Sequence, residues 1–270
     1  MNRPFTGRTL ERAEAVILTA CALWLVGCNV TVEQDGPGPV GPVGPIGSVG
    51  EEIGEPGSGI IVTEERDAAG VTRVHFASEG EVYISLGPAT SLTVEADDNL
   101  LTHLETVVEE DILRIQTAQS IQIAPSRPPR FLLTMPEVTE VELRGVGAIE
   151  VESAKSELLS MTLSGVGDVT FREVDVDLLL YDLSGVGTLS IGGEAEDQRG
   201  SVAGQCRYLA ADLESERAML QASGGGYAVI SVGSALEVSV NDSATVEYYG
   251  SPSVTQDVGD LGSLTSLGRR

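Results

Sequence analysis

The sequence predicts an all-β solenoid, in which short strands stack in parallel from one repeat to the next. Three observations predict it. Leu-x-Gly-Val-Gly is written three times at a fixed interval of 20 residues, at 143–147, 163–167 and 183–187. The residues flanking each copy alternate apolar and polar with the period of two that a strand requires. The composition favours an aliphatic core: 41% hydrophobic but only 4% aromatic, with 32 Gly among 270 residues.

The chain opens with MNRPFTGRTLERAEAVILTACALWLVGC. Arg3, Arg8 and Arg12 form a positive region, and residues 15–27 form an apolar run of 13. That run is shorter than the roughly 20 residues of a spanning helix and suits a signal peptide. It ends in Leu25-Val26-Gly27-Cys28, which resembles the lipobox of bacterial lipoproteins. Residues 1–27 are therefore expected to be a lipoprotein signal peptide, with Cys28 the lipidated residue. Leu18-Thr19-Ala20-Cys21 also fits the pattern. It leaves few apolar residues before the Cys, so Cys28 is preferred to Cys21. After processing at Cys28 the only other Cys is Cys206, read as a small buried hydrophobe. Asn29 follows Cys28 where an Asp would resemble an inner-membrane retention signal, which favours an outer-membrane lipoprotein.

Residues 28–59 read as a linker. Gly recurs every third residue at 38, 41, 44, 47 and 50, with Pro at 39, 42 and 45. This is the Gly-X-Y rule of collagen, in which only Gly fits at the triple-helix axis. Two readings stand: a stiff polyproline-II spacer, or a stalk that joins a homotrimer. At about 3.1 Å per residue the segment could lift a head roughly 70 Å from its anchor.

The head is expected over residues 60–268. VTRVHF, VYISL, SLTVEA and ILRIQT are short alternating runs, and RFLLTMP is a strand stopped by Pro136. DDNLLTHL reads as a helical turn with Asp97 or Asp98 as its cap. Glu109, Glu110 and Asp111 read as a turn. Then the repeats begin, each a strand, a Gly-Val-Gly turn and a strand. An even period keeps inward and outward faces constant from unit to unit. Gly145, Gly147, Gly165, Gly167, Gly185 and Gly187 are the candidate structural residues. A sharp corner needs positive φ or close backbone approach, and Gly supplies both. A β-branched or bulky residue in a left-handed conformation costs about 1–2 kcal/mol. Gly224 to Gly226 and then Asn241-Asp242-Ser243 look like degenerate copies of the turn. An antiparallel meander of hairpins has the same periodicity. Identical turns become neighbours only in the parallel stack, which is therefore preferred.

The order of these pieces resembles the putative auto-transporter adhesin head GIN domain, the family also called DUF2807. The resemblance spans roughly 60–268. It rests on the run from VTRVHF to ILRIQT, then LTMPEVTEVELRGVGAIEV, the LSGVGD units and VEYYGSPSV. It implies a right-handed parallel β-helix-like solenoid and export to the bacterial envelope. It carries no site residues with it.

Chemistry-bearing motifs are sparse. The net charge is −25, which disfavours nucleic acid and anionic membranes. Such acidity keeps a β-rich protein soluble, or attracts cations or a basic partner. The Gly-Val-Gly units lead into strands, unlike dinucleotide loops. Ala148, Asp168 and Thr188 follow them, so no Asp ladder for Ca²⁺ forms. His75 and His103 are the only histidines and stand far from Cys and from each other, so both are read as strand or loop surface positions. Asp175 and Asp177 share a strand face, read as solvated. No catalytic residue, metal site or cofactor is expected. The expected function is a lipid-anchored envelope protein whose head is a non-catalytic adhesin or surface module contacting glycan, matrix or a surface protein. A periplasm-facing maintenance role and a polysaccharide-active β-helix enzyme are the alternatives. The enzyme reading is weakened because Lys155 is the only lysine and the other basic residues are scattered.

Overall fold

The computed structural model describes residues 54–119 and 121–270. The signal peptide, Cys21, Cys28 and the Gly-X-Y run lie outside the described residues. The first part of the head is built from β1 (Glu55–Pro56), β2 (Ile61–Arg66), β3 (Arg73–Ala77), β4 (Glu79–Leu86), β5 (Ser91–Asp97), β6 (Leu104–Glu109), β7 (Ile112–Thr117), β8 (Ile123–Ala124) and β9 (Arg130–Met135). The solenoid proper follows. It comprises β10 (Glu140–Leu143), β11 (Val146–Leu163), β12 (Val166–Leu183), β13 (Val186–Val202), β14 (Gln205–Ala222), β15 (Tyr227–Val240), β16 (Thr245–Gly250), β17 (Ser253–Val258) and β18 (Ser263–Gly268).

From β10 onward every neighbouring pair is parallel, so the meander of hairpins is not the geometry adopted. Between β11 and β12 the register is 20 residues throughout, from Val146↔Val166 to Leu163↔Leu183. A straight strand of 18 residues would span roughly 60 Å. Here the chain returns to within one strand spacing of itself after each repeat, so each long strand must bend. The burial pattern locates the bends. In β11 the buried positions are Ile149 and Val151, then Ala154, then Leu159, Met161 and Leu163. The alternation slips phase twice, at Glu152-Ser153 and at residues 155–158; polar side chains fill the first corner, and Lys155, Ser156 and Glu157 with the exposed Leu158 make the second.

The bends also absorb length changes. Leu183 pairs with Val202, a 19-residue step, and Val202 pairs with Ala222, a 20-residue step. The missing residue is taken from the corner between Phe171 and Val174, where the register shifts. Because it leaves from a corner, the strands on either side keep their inward faces. One interior column therefore reads Leu143, Leu163, Leu183, Val202, Ala222 and Val240, all buried. Each fully buried Leu or Val contributes about 1.5–3 kcal/mol relative to exposure. Tyr181 and Tyr208 stack inside at 4.2 Å between centroids. Gln198 is fully buried and satisfied: its amide donates to Ser215 Oγ at 2.7 Å and its oxygen accepts from Tyr208 at 3.0 Å.

The N-terminal end is finished differently. β4 pairs in parallel with β9, β9 with β5 antiparallel, and β5 with β2 antiparallel. On another face β3 carries β7 and its antiparallel partner β6. The β6–β7 turn lies at residues 110–111, with Glu110 at φ 58. The helical turn is a single 3-10 turn, Leu101–His103, and Asp97 and Asp98 do not cap it. Asp97 is instead fully buried and clamps the entering chain. Its carboxylate accepts from Ser126 N–H at 2.9 Å, Ser126 Oγ at 2.7 Å and Gly59 N–H at 2.7 Å. Burial pushes this carboxyl up, and the hydrogen bonds from Ser126 and Gly59 outweigh it, leaving the pKa below the usual value.

Candidate functional site

The Gly-Val-Gly corners form a stack of backbones. Gly147, Gly167 and Gly187 have φ 150, 148 and 155, and they stand in register one above another. A Cβ at Gly167 would overlap the carbonyl oxygen of Gly147, and one at Gly187 that of Gly167. Gly145, Gly165 and Gly185 have no positive φ, yet a Cβ at each would meet the carbonyl of the rung before. The column begins one rung earlier than the sequence motif suggests, at Gly80 with φ 136. Its signal in the sequence was a lone Gly at the head of a strand, without the Val. The column passes into Cys206, which pairs with Gly187 and is fully buried. Burial raises the Cys206 thiol pKa, so it is not activated for nucleophilic work. These corners are scaffold. What they expose is a column of half-exposed valines, Val146, Val166 and Val186.

Ligand-sized surface lies on two of the faces that the corners separate. One groove of about 430 Å³ runs across β4, β9, β11 and β12. Tyr83 and Ser85 come from β4, Leu132 and Thr134 from β9, Glu150 and Glu152 from β11, and Arg172 from just beyond the inward Phe171 of β12. Tyr83, Ser85, Leu132 and Thr134 are all outward positions of the alternation. Leu132 is 40% exposed beside the Tyr83 ring, giving an apolar floor. The polar groups around it are held in place. The Arg130 guanidinium sits 5.3 Å from the Tyr83 ring centroid, and Tyr83 donates to Glu81 at 2.8 Å. That bond, followed by Arg130, lowers the Glu81 pKa. Arg172 Nε donates to Glu150 at 2.6 Å, and the Ser85 and Thr134 hydroxyls meet at 3.2 Å. A ring face, an aliphatic patch, hydroxyls and a fixed arginine–carboxylate pair suit recognition of a polar ligand with apolar faces. On another face a second shallow groove of about 380 Å³ is lined by Leu180, Met219, Arg199, Asp182 and Ser201.

The two histidines are not bare surface groups. His103 Nε2 lies 3.0 Å from Glu55. His75 is paired in register with Glu142 across β3 and β10. Its Nε2 lies 2.6 Å from Glu140 and its Nδ1 3.3 Å from Glu142. These three form a group whose donor atoms lie within 4.8 Å of one another. The sequence hides it, because an excursion of more than 50 residues separates His75 from both carboxylates. Asp175 and Asp177 are exposed, and Asp175 accepts from Lys155 at 2.5 Å.

Solved structures share this architecture. A putative adhesin from Bacteroides fragilis is 18% identical, with a TM-score of 0.76 over 79% of this chain and 100% of its own. A putative adhesin from Parabacteroides distasonis is 16% identical, with a TM-score of 0.65 over 79% and 99%. A putative lipid binding protein from the same organism is 19% identical, with a TM-score of 0.60 over 78% and 98%. At these identities the likeness is one of fold. No curated protein matches the sequence. The family model described as putative auto-transporter adhesin, head GIN domain, matches residues 71–252, the span from β3 to the last corners of the solenoid, and the chain belongs to that family, DUF2807.

Proposed function

We propose that this protein is a lipid-anchored module of the bacterial cell envelope whose solenoid head binds a glycan, a matrix component or a neighbouring surface protein without transforming it. The observation that carries the reading is the groove around Tyr83. Its groups are arranged to hold a ligand: Tyr83 and Leu132 give a flat apolar floor, and Arg172 and Glu150 give a fixed donor and acceptor beside it. Membership of a family of putative adhesins supports a place in the envelope. The Cys28 lipobox and the Gly/Pro-rich linker support an anchor and a spacer.

The first test is protease shaving of intact cells, with a periplasmic protein as control. Loss of the head on intact cells is expected. Protection until the outer membrane is opened would sink the surface-binding reading and favour a maintenance role in the periplasm. The second test takes the purified chain to glycan and matrix arrays beside Tyr83→Ala. Truncation of a central contact is expected to weaken the selected interaction at least fivefold, about 1 kcal/mol. Equal binding by both proteins would remove the groove from the reading.

A further inference from the structure

We propose that His75, Glu142 and Glu140 form a binding site for a divalent first-row metal ion, Zn²⁺ foremost, with His75 Nδ1 and Glu142 as ligands and Glu140 as the carboxylate that orients the imidazole. The inference starts from the two sides of one ring. A neutral imidazole has one N–H donor and one bare acceptor nitrogen. Here both nitrogens face carboxylate oxygens. Nε2 and Glu140 Oε1 are 2.6 Å apart, at the short end for a charge-assisted hydrogen bond, which places the proton on Nε2. On the neutral ring, Nδ1 is then left with its lone pair beside Glu142 Oε2.

That second contact is not a hydrogen bond. Nδ1 is buried and has no hydrogen-bond partner among the described residues, although Oε2 lies 3.3 Å away. Two lone pairs brought together in a buried place repel unless a cation lies between them. Distance separates the two sides of the ring. Zinc bonds to nitrogen and carboxylate oxygen are about 2.1 Å, so a 3.3 Å separation is bridged at an angle of roughly 100°, near tetrahedral. The 2.6 Å separation would force roughly 75°, too narrow for a shared ion. The ion therefore belongs on the Nδ1 side and the proton on the Nε2 side. A ligating histidine that gives its other N–H to a carboxylate is the usual outer-shell arrangement at a metal.

The remaining charges fit the assignment. Arg144 Nε donates to Glu142 Oε1 at 2.5 Å, which turns Oε2 toward the ring. Arg73 lies 3.8 Å from Glu140 Oε2 and is held by Asp111 at 2.9 Å. Arg114, next to His75 in register, is held by Glu109 at 2.7 Å. Arg73 and Arg114 thus each have a carboxylate outside the site, whereas Arg144 shares Glu142 with it. The backbone also fixes the site, since β3 and β10 are paired in the middle of a sheet. Water would complete the ion's coordination.

The test uses the full chain purified in detergent, stripped of metal, and titrated with Zn²⁺. Two readouts are followed: zinc bound per chain, and the imidazole ¹⁵N resonances, of which the chain has only those of His75 and His103. One specific equivalent is expected, with a shift at His75 Nδ1 and none at His103. His75→Phe and Glu142→Gln should lose that equivalent. Glu140→Gln should weaken it about 10–100-fold, as outer-shell changes do. Asp175→Asn should leave it intact, which controls for zinc held loosely by surface carboxylates. Unchanged uptake in His75→Phe would overturn the proposal. So would a wild-type spectrum in which both His75 nitrogens carry protons and ignore saturating Zn²⁺, and that measurement does not depend on any variant folding.

Discussion

The corners of rungs β11 to β13 and those of the last rungs use the same residue for different reasons. At Gly147, Gly167 and Gly187 the backbone of one rung rests on the carbonyl of the rung before, and a methyl group has nowhere to go. At Gly224 and Gly225 a Cβ would find its nearest atoms at 3.4 and 3.3 Å, and at Gly233 at 3.6 Å, although at Gly226 it would still meet the Val202 carbonyl oxygen at 2.7 Å. In the corner after β15 the glycines give way to Asn241-Asp242-Ser243, and Asp242 takes φ 55 itself while accepting from Gly224 N–H at 3.0 Å. The first kind of corner is fixed by backbone stacking. The second is fixed by a local turn that a side chain can help to make. Gly in a sequence therefore marks a corner, but only the stack decides whether Gly is obligatory there.

Gly167→Ala carries the largest expected effect. Overlap with the Gly147 carbonyl and a φ of 148 act together, so a loss of about 3–5 kcal/mol, or failure to fold, is expected in thermal or urea unfolding. A stability within 1 kcal/mol of the parent would break the comparison, because it would mean the stack can relax.

The next effect lies at the end of the molecule that is closed by a side chain. Asp97→Ala leaves three donors without their acceptor, at Gly59 and Ser126, and should cost about 2–4 kcal/mol. The same clamp sets a pH dependence. The Asp97 pKa is lowered by folding. Its contribution is therefore present above the unfolded value of about 3.9 and is lost as pH falls through the lower folded value. Acid unfolding followed by circular dichroism should show a flatter limb in Asp97→Asn. An identical limb would assign the acid sensitivity to other carboxylates.

The smallest effect has the opposite sign. Gly233 has no positive φ, and a Cβ there would meet only the Ser215 carbonyl oxygen at an ordinary 3.6 Å, so Gly233→Ala should stabilise by about 0.4–1 kcal/mol by restricting the unfolded chain. A destabilised Gly233→Ala would show that the late corners are as constrained as the early ones.

The parallel stack was legible because its signal is local and repeated. Leu143, Leu163 and Leu183 mark the interior column, and the glycines after them mark the corner. The two other bends were not legible. At Glu152-Ser153 and residues 155–158 the corners are made mostly of polar residues, with the exposed Leu158, that read equally well as the outward side of a strand. The 19-residue step was hidden for a related reason, since a deletion at a bend leaves no trace in the alternation. Gly80 was missed because the first rung is interrupted by the excursion through β5 to β9, which also places His75 beside Glu142 only after folding. The groove at Tyr83 has the same origin. Tyr83, Leu132 and Arg172 come from three strands brought together only in the sheet, β9 beside β4 and β12 one strand further on across β11.

The 20-residue register between β11 and β12 has a genetic consequence. Leu-Ser-Gly-Val-Gly stands at both 163–167 and 183–187, so removing residues 164–183 would join the chain at an identical seam. Interior columns would still meet apolar on apolar, because each rung touches mainly its neighbours. Recombination between copies of such a gene can lengthen or shorten the head by whole rungs. The reach of the molecule is thus a trait that can vary without the fold being invented again.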